Sequence, residues 1–91
     1  MNNNIFSNHR KKIDKIDRQI IGLLEKRLES ARKIGEYKRK NKIKIIDRKR
    51  EKEILNERVN ESKLDKNFTK KLFKLMILES RRVQKKWYYK N

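Results

Sequence analysis

Cysteine and proline are both absent from these 91 residues, and glycine occurs only at Gly22 and Gly35. Without cysteine there is no disulfide, no thiolate metal site and no thiol nucleophile. With no proline and so little glycine, the usual punctuation of sheets and tight hairpins is missing, and long helices are favoured. The only histidine, His9, has no second histidine and no carboxylate cluster at ligand spacing beside it, so a transition-metal site has no support. No apolar run approaches the roughly 18 residues of a membrane span. Residues 1–12 carry neither the apolar core nor the small-residue cleavage site of a secretory signal. The expected location is the cytoplasm, with no membrane partner.

What is present is charge. Lysine and arginine total 29 against 12 acidic residues, a formal net charge of +17. Such an excess is common in nucleic-acid binders, which gain affinity by releasing phosphate counterions. Here the cations are spread along the whole chain, and aromatic residues that stack on bases are few and mostly terminal. Specific nucleic-acid binding is therefore not expected. The 34% apolar content suits one small domain over residues 1–91, with residues 1–6 frayed and 87–91 a tail. A chain this short buries only about 60 to 65% of its unfolded surface when it folds alone, so self-association is expected.

Periodicity predicts an all-α fold of three helices. Over residues 7–40, Ile13, Ile16, Ile20, Leu23, Leu24, Leu28, Ala31 and Ile34 recur at helical spacing. That makes a rod of roughly 45 Å, longer than so small a globule wraps by itself, and one more easily shared by two chains. Gly22 inside it marks a close helix contact in this reading. Residues 41–46 break the pattern with Ile43, Ile45 and Ile46. Asp47 then caps a second helix over residues 48–61, and Asp65 caps a third that runs to near the C-terminus.

The faces these helices should bury are not purely apolar. Arg10, Arg27 and Lys38 share the stripe of Ile13, Ile20, Leu24, Ala31 and Ile34. Asp47, Arg50 and Glu51 precede Ile54 by seven, four and three residues, on the apolar side of the second helix. In the third helix, Ser80 and Gln84 interrupt the row of Phe73, Ile77 and Trp87. Each has a plainer reading: a long cation packs its stem and wets its head, Asp47 is a cap, Glu51 a first-turn charge, and Ser80 and Gln84 polar residues at a helix interface. Their concurrence on three segments points instead to a pocket for an anionic ligand, because an unpaired buried charge costs on the order of several kcal/mol.

In order along the chain, the stretches Arg10-Lys-Lys-Ile-Asp-Lys-Ile-Asp17, Ile20-Ile-Gly-Leu-Leu-Glu-Lys-Arg27, Ile34-Gly-Glu-Tyr-Lys38, Asp47-Arg-Lys-Arg-Glu51 and Glu79-Ser80 with Gln84 resemble the all-helical class of chorismate mutases. The resemblance covers residues 9–84. It implies an intertwined homodimeric helical bundle that converts chorismate to prephenate, on the way to phenylalanine and tyrosine, with no cofactor or metal. By the same resemblance Arg27 and the partner's Arg10 fix the two carboxylates, with Ser80 assisting at the ring carboxylate. Lys38 and Gln84 serve the ether oxygen, Glu51 and Asp47 engage the ring hydroxyl, and Arg50 orients those carboxylates. The chain departs from the pattern in its loop, which has no proline before Asp47 and an unusually apolar run at Ile43 to Ile46. Two rivals remain: an isochorismate pyruvate lyase of the same fold, and a basic helical nucleic-acid-binding protein.

Overall fold

The computed structural model describes residues 2–89. They form three helices, α1 (Asn2–Lys40), α2 (Arg48–Glu61) and α3 (Lys66–Tyr88), with no strand among the described residues. None of these helices is long and apolar enough to cross a membrane. The bounds of α2 agree with the sequence reading. α1 begins earlier than expected, because nothing in residues 2–6 stops a helix and Phe6 is tied to the next turn, the Arg10 guanidinium lying 4.0 Å from its ring centroid. Residues 2–6, where fraying was expected, are described as helix, and Met1, Lys90 and Asn91 lie outside the described residues. Of the tail, Trp87 and Tyr88 belong to α3 and Trp87 is held against α1, with the Arg32 guanidinium 5.0 Å from its ring.

Local chemistry sets the helix ends. α1 closes in a left-handed cap: Lys42 has φ 55°, Lys42 N–H donates to Arg39 O at 3.3 Å, and Ile43 N–H donates to Lys38 O at 2.8 Å. The expected caps are both in place, since Asp47 Oδ1 accepts from Arg50 N–H at 3.0 Å and Asp65 Oδ2 from Phe68 N–H at 2.9 Å. The turn between α2 and α3 is tied by a short relay. Leu64 N–H donates to Ser62 Oγ, which faces Thr69 Oγ1 at 3.3 Å, and the buried Thr69 hydroxyl donates to Asp65 O. Because the one Thr69 hydrogen is used on Asp65, Ser62 is the donor in the hydroxyl pair.

The three helices make a slab measuring 61 × 30 × 14 Å. α3 packs on both α1 and α2, whereas α1 and α2 do not pack on each other. They face one another across a gap beside α3. Only Ala31, Ile45 and Ile77 are buried apolar residues among those described. Much of the apolar stripe of α1 lies open instead, with Ile13, Ile16, Ile20 and Leu23 between 48 and 65% exposed. Beside it, Leu24 and Leu28 of α1 and Leu72, Leu75, Met76 and Leu78 of α3 line a groove of about 630 Å³.

Of the two glycines, Gly35 and not Gly22 lies hard against α3. A Cβ at Gly35 would stand 2.8 Å from the Gln84 carbonyl oxygen and 2.9 Å from its Cα, whereas one at Gly22 meets nothing within 4 Å in this chain. The obstacle at Gly35 is backbone, which cannot turn aside as a flexible side chain can. Gly35→Ala should therefore push α3 away and destabilise the fold by about 1–3 kcal/mol, a loss readable as a lowered midpoint in thermal unfolding followed by circular dichroism. An unchanged midpoint would contradict the close approach.

Candidate active site

The gap between α1 and α2 is a partly open cavity of about 420 Å³, within the usual size of small-molecule sites. Seven of the eight residues singled out in the sequence line it: Arg27, Lys38, Asp47, Arg50, Glu51, Ser80 and Gln84. The eighth, Arg10, does not. It lies on α1 17 residues before Arg27, about 25 Å along the helix axis, and stacks on Phe6 in the exposed N-terminal half of the helix.

α1 supplies two cations whose acceptors are neutral. Arg27 Nη1 donates to Ser80 Oγ at 2.6 Å and to Met76 O at 3.4 Å. Burial, and then the charge of Arg58, lower the Arg27 guanidinium from its ordinary value, but arginine stays protonated at neutral pH. Neither contact carries a negative charge, so a carboxylate entering the cavity meets a full, partly desolvated cation. Ser80 is correspondingly no nucleophile here, because its hydroxyl faces a donor that cannot take its proton.

Lys38 Nζ donates to Ile45 O at 2.6 Å and to Gln84 Oε1 at 2.9 Å. The first bond depends on the cap at Lys42, which folds the loop back so that buried Ile45 presents its carbonyl to the helix it has just left. The second fixes the Gln84 amide. Lysine only donates, so Oε1 must face it, and Nε2 is left as a donor for the cavity that Gln84 lines.

α2 brings the carboxylates. Asp47 does double duty, capping the helix through Oδ1 and lining the cavity. Glu51 is gripped by Arg81 of α3, whose Nε donates to Oε2 at 2.7 Å and whose Nη2 donates to Oε1. That bond holds the Glu51 carboxyl below its ordinary value, against the opposing pull of burial, and raises Arg81 in turn. Arg50 lines the cavity too, and its backbone N–H is the one that Asp47 accepts from. Its guanidinium is paired at 3.8 Å with Glu53, one turn along α2, and the guanidinium bonded to Glu51 is that of Arg81.

Two charged cavity residues are not among the site residues expected from the sequence. Arg58 was legible, since Asp47, Glu51, Ile54 and Arg58 follow one another at steps of four, three and four along one row of α2. Arg81 was not, because its long side chain reaches sideways from the residue after Ser80, and no periodicity encodes that reach. With these two, the lining holds the cations Arg27, Lys38, Arg50, Arg58 and Arg81 against the carboxylates Asp47 and Glu51. Such an imbalance favours an anion of more than one charge.

Comparison with known proteins places the chain in a family. Residues 9–85 match the family model described as chorismate mutase type II. A chorismate mutase of Methanocaldococcus jannaschii is 35% identical over 81 residues, covering 86% of this chain and 82% of that protein. A bifunctional chorismate mutase/prephenate dehydratase of Buchnera aphidicola is 41% identical over 80 residues, covering 85% of this chain but only 21% of the longer relative. No solved structure matches the chain at the same level of significance. The matched segment takes in α2, the loop before it and every cationic, carboxylate and amide group of the cavity: the chain belongs to the chorismate mutase type II family.

Proposed function

We propose that the cavity binds chorismate and rearranges it to prephenate. The observation that carries this reading is the convergence of Arg27, Lys38 and Gln84 in one cavity, the two cations held by neutral acceptors, the amide oriented by Lys38, and each with donors to spare. In the rearrangement the ether C–O bond breaks as a C–C bond forms within the same molecule. No proton changes hands. The protein's task is to hold a flexible dianion in its compact reactive shape and to stabilise the negative charge that gathers on the ether oxygen.

In this reading the Arg27 fork takes one carboxylate, with Ser80 fixed beside it. Lys38 Nζ and Gln84 Nε2 converge on the ether oxygen and its neighbouring carboxylate. Glu51 and Asp47 accept from the ring hydroxyl. Arg10 completes the set from a second chain: it lies too far along α1 to reach its own cavity, and the open stripe of α1 with the apolar groove beside it needs covering. The assembly is a homodimer in which each site draws a residue from both chains.

Arg27→Ala should lower kcat/KM for chorismate by roughly a thousandfold or more, measured as chorismate consumption with purified protein. A loss of only a few-fold would count against the assignment. Arg10→Ala and Arg27→Ala should each be nearly inactive alone, yet regain up to about a quarter of parental activity when mixed and refolded, because half the dimers then hold one intact site. Failure to regain activity would mean that Arg10 does not cross between chains. Turnover should change little from mildly acidic to mildly alkaline pH, since the Gln84 amide donates without titrating and Arg81 keeps Glu51 ionised well into acid. A steep fall through neutrality in the pH–rate profile would exclude Gln84 from its role.

A further inference from the structure

Glu51 and Arg81 are joined across 30 residues of sequence by two hydrogen bonds, one to each carboxylate oxygen. Their side chains are 18 and 23% exposed, and both line the cavity. Among the described residues, every other ion pair joins two side chains of a single helix. This one alone ties α2 to α3, and so ties the carboxylate that α2 carries to the helix that also carries Ser80 and Gln84.

A guanidinium fork engages one lone pair on each carboxylate oxygen. A second lone pair on each is left to accept from something else. Resting on the mutase reading, we infer that Arg81 is a positioning residue for the reaction: its guanidinium locks the Glu51 carboxylate in place as an anion, with the remaining lone pairs presented to the ring hydroxyl of the substrate. Arg81 itself need not touch substrate.

The charges around Glu51 make the lock consequential. Asp47 and Arg48 lie beside it at the start of α2, Arg50 and Arg58 share its helix, Arg27 and Lys38 face it from α1, and Arg81 meets it from α3. Burial and Asp47 both favour the protonated acid, and the bond from Arg81 is the largest influence against them. Without Arg81 the carboxyl shifts upward, toward a state in which it is a poorer acceptor for a hydroxyl.

The test uses Arg81→Met, which keeps length and removes the fork, and Arg81→Lys, which restores charge without bidentate geometry. Arg81→Met should raise KM for chorismate about tenfold, with kcat less affected and the acid limb of kcat/KM moved to higher pH. Arg81→Lys should recover part of the loss. A competitive inhibitor with two carboxylates and no hydroxyl should bind parent and Arg81→Met alike, whereas a merely structural role would weaken both ligands. Carbon-13 NMR titration of the Glu51 carboxyl in the parent, with no ligand, should show a depressed midpoint, and this readout survives if Arg81→Met fails to fold. An undepressed Glu51, or an active parent whose KM and acid limb are unmoved in a folded Arg81→Met, would overturn the inference alone. A parent protein inactive on chorismate would instead overturn the mutase reading, and this role with it.

Discussion

The backbone contact between Gly35 and Gln84 sets the scale of everything around it. With no Cβ in the way, α1 and α3 approach until the carbonyl of Gln84 occupies the place where a side chain would stand. One turn further along α1, Lys38 then lies within hydrogen-bond reach of the Gln84 side chain at 2.9 Å. Two turns before Gly35, Arg27 lies against Ser80, one turn before Gln84 on α3. A wider separation of the helices would break both contacts, and the cavity would lose the donors that define its chemistry. The geometry of the cavity is in this sense a by-product of a packing distance.

The electrostatics of the cavity follow a simple division. The cations of α1 are satisfied by carbonyl, hydroxyl and amide oxygens, groups that fix orientation without cancelling charge. The carboxylate of Glu51 is paired with a guanidinium. Positive potential is thus left unneutralised on one wall, and a negatively charged acceptor is held quiet on the other. A ligand with two carboxylates and a hydroxyl meets complementary groups on both sides without any side chain having to change its protonation state.

Most of the fold was legible because helical periodicity and capping are local properties. Asp47 and Asp65 announce their helices through a side-chain oxygen three residues before the N–H it accepts from, and both helices begin where those residues predict. Seven cavity residues were legible for a related reason: a charged, hydroxyl or amide group on an apolar row at steps of three and four must face whatever the row faces. Three things were not. The start of α1 depends on a ring and a guanidinium one turn apart, a contact weaker than the rules used to place helix ends. The glycine that matters is decided by which helix lies opposite, and the sequence offered two. The partner of Glu51 is settled by the reach of Arg81 across a helix crossing, which no spacing along the chain encodes.

The apolar loop that looked anomalous in the sequence also finds its explanation in three dimensions. Residues 41–47 leave α1 through a left-handed lysine, bury Ile45, return its carbonyl to Lys38 and end on the aspartate that starts α2. The loop is therefore a spacer of fixed measure between the ammonium on one wall and the carboxylates on the other. Inserting or deleting a single residue there would change the reach between Lys38 and Asp47 by up to about 3.5 Å and take the Ile45 carbonyl out of register with the Lys38 ammonium. The turn between α2 and α3 holds no cavity-lining residue, so drift in length through evolution is expected to accumulate there and to spare the stretch before Asp47.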